Sequence, residues 1–562
     1  MRTLTKHDTA TARLHLPRSS GVLVCARGRT ANAARGAGRF ARTHFAWSTG
    51  SLWTLLILAH LFVGGAVGMA DNFDGHRLMC QLGLAPAALP DAQPLWAYIT
   101  PHYSPYTWYG EACSAGGSGQ PYLSTEYFPL WIAKQLTGLF GPPGSLDLRL
   151  LGVVFAVAVG AAVGWTAREL PGPRWTRVLI ASAIGLVADD STIAPYYVSP
   201  FSEPAALLGI LLFIPAALRL LGRDQVRARD ICLLTVIAAW TIGAKTQTAT
   251  LLLVAVPVLL WRPWVRYGTR RGRGGRVSRA LIAFAGRAPA LIACMFLVGA
   301  TAEFQEHQSR WMSEIVLYDD VFRDVLGHSP NVPADLRALH LPANFASAAG
   351  STVLSQNSAA GLPDYPVFLH NESLGTVLGF YAEHPLRLFR LAGRGLDGLS
   401  ATRPTYLGNY EAGSGAAPYA RECRVCIATA AFTLTQPLRW LVIPELWIAA
   451  LVGGVYVSRR RRAPARARGV GVVLAAVSAA TIGQFWAVML TEGDSDIQKH
   501  MVFVLLGTML LGPLCAAAVV ALDQEPGPVP VDGWPGSVPS AASELIPARR
   551  ADQAAEVAAE VM

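Results

Sequence analysis

Asp71 and Asp74 lie three residues apart, directly after the first long apolar segment of the chain, and Arg77 follows them. Two carboxylates and a guanidinium therefore come where a membrane-crossing helix would meet water. If that helix continues for one more turn, both carboxylates share one face. A carboxylate in such a half-dry setting can accept the proton of a hydroxyl group. A helix N-cap or a solvated Asp–Arg pair is the structural alternative, and the position at the membrane surface favours the catalytic interpretation.

Three further residues could bind an anion such as a phosphate. Lys245 interrupts the apolar run 231–261, and Lys499 and His500 open the last apolar segment. A cation at the end of a membrane-spanning segment needs an anionic partner, which a phosphate group would supply. The alternatives are that Lys245 snorkels to the surface and that Lys499 and His500 anchor the helix at the interface.

Other residues are candidates for contacts to a sugar or an acceptor. They are Trp96, Tyr106, Trp108, Glu203 and Arg403. Aromatic rings stack on the apolar faces of sugars, although an aromatic belt at the membrane interface is the favoured explanation for most of the aromatic residues. Glu203 is also the acid expected in a first helical turn, where it complements the helix dipole.

The cysteines indicate disulfides more than a metal site. Cys80 and Cys113 share the first predicted outer loop, and Cys423 and Cys426 share the second. An oxidising exterior would permit both pairs to bridge, and we favour a structural disulfide between Cys80 and Cys113. Zinc binding at Cys423 and Cys426 would require a second pair of ligands, which the sequence does not show. No metal site is predicted.

The composition indicates a membrane protein. Of 562 residues, 52% are apolar and only 15% are charged, which is too hydrophobic for a soluble domain. The net charge of +10 is concentrated in three segments, with nine basic residues in 1–47, seven in 262–279 and six in 459–468. Each borders an apolar segment, as the positive-inside rule predicts for cytoplasmic loops. This distribution favours contact with anionic lipid over nucleic-acid binding, and no nucleic-acid partner is predicted.

These patterns predict an all-α polytopic membrane protein with about ten transmembrane helices. An interfacial helix is expected over 127–140, and a long outer loop is expected after the seventh crossing. The apolar run 231–261 predicts two short spans hinged near Lys245 or a re-entrant hairpin. Both termini are predicted to be cytoplasmic, in a protein of the plasma membrane. The predicted parts are a basic segment 1–47, a membrane module 48–301 with its outer loop 71–146, an outer segment 302–436, membrane helices 437–522 and a disordered tail 523–562.

The motif Asp71-Asn-Phe-Asp74-Gly-His-Arg77, with the interfacial helix and the long outer loop, resembles the GT-C superfamily of membrane glycosyltransferases. It most resembles the actinobacterial hexose transferases of cell-envelope glycan synthesis. The resemblance implies a polyprenyl-phosphate sugar donor, a glycan acceptor and a catalytic acid in the first outer loop. Many relatives carry adjacent acids, whereas here two residues separate them, so either Asp71 or Asp74 is the expected base.

The implied reaction is a single displacement that inverts the anomeric carbon. One aspartate would take the acceptor proton, and Arg77, Lys245 or Lys499 would stabilise the leaving phosphate. A divalent cation is compatible with this reaction but is not required. The alternatives are a transporter or flippase of lipid-linked intermediates, a polymerase or ligase of preassembled glycan, and a non-catalytic scaffold.

Overall fold

The computed structural model describes residues 44–70, 74–84, 122–141, 143–223, 226–261, 276–308, 310–353, 355–460, 462–493 and 495–523. Several predicted features lie outside these residues. They are Asp71, Trp96, Tyr106, Trp108, Cys113, most of the basic N-terminal segment and the tail from residue 524.

The first helix, α1, spans Phe45–Phe62 and ends earlier than the predicted span 48–70. Gly64 and Gly65 follow it with φ of 79° and 109°, a conformation that favours glycine and turns the chain. A short strand β1 (Val67–Met69) comes next, and helix α2 begins only at His76. Helix α1 therefore does not extend to this motif, and the condition under which Asp71 and Asp74 would share a helix face is not met.

The strand β1 pairs with β2 (Leu407–Tyr410) in an antiparallel two-stranded ribbon that was not predicted. Val67 pairs with Tyr410, and Ala70 N–H donates to the carbonyl oxygen of Tyr406 at 2.7 Å. The ribbon joins the end of α1 to a segment more than three hundred residues later.

In the described residues up to Glu306, seven further helices follow α2, together with two 3₁₀ turns, Ala194–Val198 and Thr246–Leu251. After α2 (His76–Gln81), the helices are α3 (Tyr127–Phe140), α4 (Leu148–Glu169), α5 (Arg174–Ala188), α6 (Glu203–Leu221), α7 (Ala228–Ile242), α8 (Leu252–Trp261) and α9 (Arg276–Glu306). The residues of α3 are those of the predicted interfacial helix, and its location at the interface stays a prediction.

The second half contains the remaining helices and a π-helical segment, Asp319–Leu326. The helices are α10 (Arg310–Tyr318), α11 (Val332–Ala338), α12 (Tyr365–Asn371), α13 (Leu374–Glu383), α14 (Pro385–Ser400), α15 (Ile427–Thr435), α16 (Arg439–Arg459), α17 (Ala465–Thr491), α18 (Ile497–His500) and α19 (Val502–Leu522). Three short 3₁₀ turns are Ala343–Ala348, Ala359–Gly361 and Gln436–Leu438.

Seven segments of the described chain are long and apolar enough to cross a membrane, which confirms a multi-pass helical membrane protein. They are Phe45–Phe62, Leu148–Glu169, Glu203–Leu221, Gly286–Glu306, Ile427–Arg459, Ala465–Thr491 and Val502–Leu522. Three other predicted crossings correspond to α5, α7 and the segment Thr246–Trp261, all of which are shorter. The number ten therefore stays a prediction. The apolar helical segment that ends at Arg459 begins at Ile427, ten residues before the predicted start at 437.

Glycines bring the membrane helices into close contact. A Cβ atom on Gly50 of α1 would lie only 2.7 Å from the carbonyl oxygen of Gly160 in α4. Gly454 of α16 has the same relation, at 2.7 Å, to the carbonyl oxygen of Gly471 in α17. Small residues of this kind allow backbones to approach where lipid supplies no hydrophobic driving force.

The predicted break at Lys245 is present. Helix α7 ends at Ile242, Lys245 is extended with φ of −151°, and the 3₁₀ turn Thr246–Leu251 leads into α8. The Thr248 hydroxyl donates to the carbonyl oxygens of Thr241 and Lys245, at 2.8 and 2.5 Å, and so satisfies acceptors that the break frees. Two short spans and a re-entrant hairpin both agree with this geometry.

Candidate functional site

Charged side chains from separate parts of the chain meet at one end of the membrane helices, where α1 ends and α6 begins. We call this the site end. Asp74 precedes α2, Glu203 opens α6, Lys245 lies at the break after α7, and Lys499 lies in α18. Asp74 and Lys499 are 425 positions apart in sequence.

The carboxylate of Asp74 and the ammonium of Lys499 form an ion pair. Lys499 is buried, with its side chain 4% exposed, whereas 39% of the Asp74 side chain is exposed. Lys499 Nζ also lies 3.5 Å from Asp496 Oδ2 and 5.1 Å from the centroid of the Phe201 ring. The pair therefore presents a carboxylate outward and keeps its cation inside.

Neighbouring charges set the ionisation of this pair. Burial raises the pKa of Asp74, but the positive charges of Lys499, Lys245 and Arg77 outweigh burial and leave the pKa below its usual range. Burial lowers the pKa of Lys499, but Asp74, Glu203 and Asp496 raise it above its usual range. Asp74 is thus a carboxylate and Lys499 an ammonium at neutral pH.

Gly75 explains how the chain holds Asp74 in place. It is the N-cap of α2, with an ordinary φ of −69°, so its backbone does not require glycine. A Cβ atom on Gly75, however, would lie 2.4 Å from Cγ of Pro200. The absence of a side chain lets the turn that carries Asp74 approach the loop before α6.

Lys245 and Glu203 form a second ion pair, with 2.6 Å between Nζ and Oε1, and both side chains are buried. Ser202 Oγ donates to Glu203 Oε2 at 3.4 Å, and Tyr122 donates to Ser202 Oγ at 3.3 Å. Buried charges persist where each has a partner of opposite sign and further hydrogen bonds. Glu203 is therefore the counter-ion of Lys245 as well as the acid in the first turn of α6.

His500 is held by Gln247 and Glu492. Gln247 Nε2 donates to His500 Nδ1 at 2.6 Å and to Glu492 Oε1 at 3.2 Å. Burial and the charges of Lys245 and Lys499 keep the pKa of His500 well below its usual range. The imidazole is therefore neutral at pH 7, and the positive charge at the site end comes from other residues.

Glu126 is a buried acid that the sequence analysis did not select. Its Oε2 accepts a hydrogen bond from the backbone N–H of Ala205 at 2.8 Å, whereas Oε1 has no hydrogen-bond partner. Burial raises the pKa of Glu126 well above its usual range, Ala205 lowers it in part, and the charge of Glu203 raises it further. Glu126 is consequently biased towards its neutral form.

Asp496 and Tyr406 also belong to the site end, and the contact between them was not predicted. The Tyr406 hydroxyl donates to Asp496 Oδ2, and Asp496 precedes Lys499 by three positions, a helical spacing that was available in the sequence. Asp496 has φ of 44°, in the left-handed region that non-glycine residues rarely occupy.

Arg403 lies in a separate buried network and contacts residues other than Asp74 and Lys499. Its guanidinium donates to the carbonyl oxygen of Ser191 at 2.6 Å and lies 3.3 Å from Glu422 Oε1. Glu422 Oε2 is 3.2 Å from Nε2 of His60, whose Nδ1 is 2.9 Å from Asp189 Oδ1. This network joins the end of α1 to the segment after β2.

An apolar cavity of about 490 Å³ adjoins the charged residues. Its lining includes Tyr122, Leu123, Phe128, Ile242, Leu297 and Phe304. The Arg77 guanidinium lies 5.6 Å from the centroid of the Tyr122 ring and 3.7 Å from Asp74 Oδ1. Arg77 and Tyr122 therefore connect the cavity to the carboxylate.

Cysteines and acids form no evident metal site in the described ranges, where no group of three or more His, Cys, Asp or Glu could hold an ion. Cys423 and Cys426 are joined in a disulfide. Cys80 is also disulfide-bonded, and its predicted partner Cys113 lies outside the described residues.

The fold and the site define a multi-pass helical membrane protein that gathers carboxylates and lysines at one end of its helices. The chain belongs to the family described as YfdI N-terminal transmembrane domain, which it matches over residues 49–520. No curated protein and no solved structure matches it. The family description names a membrane domain and no reaction.

Proposed function

We propose that the protein is a membrane glycosyltransferase that moves a hexose from a polyprenyl-phosphate donor to a cell-envelope glycan acceptor, with inversion at the anomeric carbon. The observation that carries the proposal is the ion pair of Asp74 and Lys499, in which a partly exposed carboxylate is kept ionised by buried cations. The site end faces the exterior in this proposal, because the arginine-rich segments border the opposite helix ends.

Asp74 is the proposed general base, and Asp71 remains the alternative. The carboxylate takes the proton of the acceptor hydroxyl while that oxygen attacks the anomeric carbon. The bond from the anomeric carbon to the phosphate oxygen breaks, and the polyprenyl phosphate leaves with the electron pair. Because Asp74 is ionised at neutral pH, it is ready to accept the proton, which then passes to water.

The proposed partners of the leaving phosphate are Arg77, Lys499 and Lys245. Arg77 is the most exposed of the three, with 34% of its side chain accessible, and can donate charge-assisted hydrogen bonds directly. Lys499 and Lys245 are buried next to Asp74 and Glu203, and their positive charges would stabilise the leaving phosphate. His500, which is neutral, positions Gln247 and Glu492 in this scheme and adds no cation.

The apolar cavity beside Tyr122 supports a lipid-linked donor, since an isoprenoid chain requires apolar walls next to the phosphate. Trp96, Tyr106 and Trp108 remain the proposed sugar contacts. Glu203 and Arg403 support the site in this proposal, the first through Lys245 and the second through Glu422.

The test is sugar transfer from labelled polyprenyl-phosphate hexose in membranes that contain equal amounts of wild type, Asp74→Asn or Asp71→Asn. Asp523→Asn, an exposed aspartate after α19, is the matched control. Loss of transfer in Asp74→Asn alone supports Asp74 as the base, and loss in Asp71→Asn alone moves that role to Asp71. Equal transfer by all four proteins excludes both residues as the base.

If the wild type transfers no sugar, the proposed donor is wrong and a different function is favoured. Movement of the lipid-linked sugar across the bilayer of proteoliposomes would then indicate a flippase. Transfer of a preassembled oligosaccharide would indicate a polymerase or ligase.

A further inference from the structure

A polar cavity of about 600 Å³ lies at the other end of the membrane helices, where α4 and α6 end and α7 and α17 begin. Arginines dominate its lining, which includes Glu169, Arg219, Arg223, Arg227 and Arg466. Along α6, Arg219 follows Glu203 by sixteen residues, about 24 Å at 1.5 Å per residue. This arginine cavity is therefore separate from the site end.

The carboxylates near the arginine cavity are already paired with two of its arginines. Arg219 Nε lies 2.7 Å from Asp230 Oδ1, and its NH1 lies 3.9 Å from Glu169 Oε1. Arg223 Nε lies 3.4 Å from Asp230 Oδ2.

Arg227 and Arg466 are the other two arginines that line the cavity. Within the described part of the chain, neither guanidinium has a carboxylate within ion-pair distance, and Arg466 acts on Arg177 as a like charge. Among the described residues, four arginines thus face two carboxylates, and this part of the cavity carries an excess of positive charge that an anion would neutralise.

An apolar groove of about 430 Å³ shares Arg219 with the arginine cavity. It runs between α1 and α4, with Trp47, Val157, Ala161 and Leu212 in its walls. Trp47 and Val157 are 70% and 53% exposed on helices that are long enough to cross the membrane, so the groove faces lipid. An apolar surface on the membrane side therefore leads to a cation-rich cavity at the helix ends.

We propose that this combined cavity and groove binds an anionic phospholipid. The lipid phosphate accepts hydrogen bonds from Arg227 and Arg466, and an acyl chain lies along Val157 and Ala161. Arginine suits this role because its planar fork binds phosphate oxygens in pairs. The continuity of the cavity with a lipid-facing groove favours a lipid over a soluble anion. The inference does not depend on the proposed transferase activity.

The test uses the purified full chain, delipidated in a neutral detergent, and measures thermal unfolding against added lipid. The probes are dioleoyl phosphatidylglycerol, dioleoyl phosphatidylcholine and inorganic phosphate. Saturable stabilisation by phosphatidylglycerol alone supports the proposal. Equal stabilisation by both lipids would show that a net negative headgroup is not required and would overturn selection of an anionic lipid. Equal stabilisation by inorganic phosphate would show a site for a free anion.

Two variants and one control locate the binding site. Arg227→Gln with Arg466→Gln should weaken phosphatidylglycerol binding roughly 30-fold, at about tenfold per 1.4 kcal/mol and about 1 kcal/mol per arginine. Arg459→Gln with Arg460→Gln removes the same charge from exposed positions at the end of α16 and should change binding by less than about twofold. Equal weakening by both pairs would contradict a defined pocket.

Ala161→Leu tests the groove without a change in charge. The longer side chain occupies the acyl path, so phosphatidylglycerol binding should weaken while unfolding without lipid is unchanged. Unaltered binding in this variant would overturn the acyl part of the proposal. It also keeps the proposal testable if the double arginine variant does not fold.

Discussion

Lys245 and Glu203 form a buried ion pair that ties the break after α7 to the first turn of α6, with 2.6 Å between Nζ and Oε1. Lys245→Met should leave Glu203 buried without a counter-ion and lower the free energy of unfolding by about 3–5 kcal/mol. Glu203→Gln should cost a similar amount, and the double variant should lose less than the sum. Chemical unfolding in detergent measures this cycle.

The exposed pair of Arg439 and Asp397 is the control for that cycle. The Asp397 side chain is 51% exposed, and Arg439→Met should cost no more than about 1 kcal/mol. Strictly additive losses at Lys245 and Glu203 would show that the pair is not coupled.

Lys499→Met should move the pH dependence of the proposed transfer reaction. A base acts above its own pKa, and activity is lost as the pH falls through that pKa. Lys499 is the leading cause that keeps the pKa of Asp74 low, so its removal should shift the acid limb to higher pH. Arg77→Gln should cause a smaller shift, because Arg77 acts on Asp74 more weakly. An acid limb that stays in place in Lys499→Met would exclude Asp74 as the titrating group.

Gly75→Ala should displace the turn that carries Asp74. Its Cβ atom would meet Cγ of Pro200 at 2.4 Å, and overpacking of this kind costs about 1–3 kcal/mol. Sugar transfer should fall together with the melting temperature. Gly138→Ala in α3 meets no atom within 4 Å and should be neutral or stabilising. Normal stability and transfer in Gly75→Ala would falsify this account of the close approach.

Glu126→Gln should stabilise the protein more at alkaline than at acidic pH. The folded-state pKa of Glu126 is raised, so above its unfolded value of about 4.3 the wild type loses stability as the pH increases. Glutamine keeps the hydrogen bond to Ala205 without that charge. The melting temperatures of variant and wild type should therefore be compared at about pH 5 and at about pH 8, and the difference should be larger at the higher pH. A constant difference would show that Glu126 does not titrate in this range.

Much of the membrane architecture follows from local sequence. Long apolar runs predict the spans because the backbone must satisfy its own hydrogen bonds in lipid, and the polar interruption at Lys245 predicts the break after α7. The end of α1 was missed because the apolar run continues past Phe62, although Gly64 and Gly65 carried a local signal. The ribbon of β1 and β2 was missed because three or four residues carry no usable periodicity.

Several charged residues of the site end were selected from the sequence, but their assembly was not predicted. Asp74 and Lys499 were each selected for their chemistry, yet a contact across 425 positions has no signature in a single sequence. Arg403 was selected from a polar segment as a candidate contact to a sugar or an acceptor, whereas the fold buries it against Glu422. Exposure depends on packing that local polarity does not report.

The long sequence separation within the site end bears on biosynthesis. Asp74 is made early, and its partner Lys499 leaves the ribosome 425 residues later, roughly 20 to 85 s at ordinary elongation rates. Throughout that interval Asp74 is without Lys499, the cation that contributes most to lowering its pKa. The nascent chain therefore lacks this ion pair until its last part is made, and a prematurely terminated product that lacks the last two helices would carry Asp74 without its buried counter-ion.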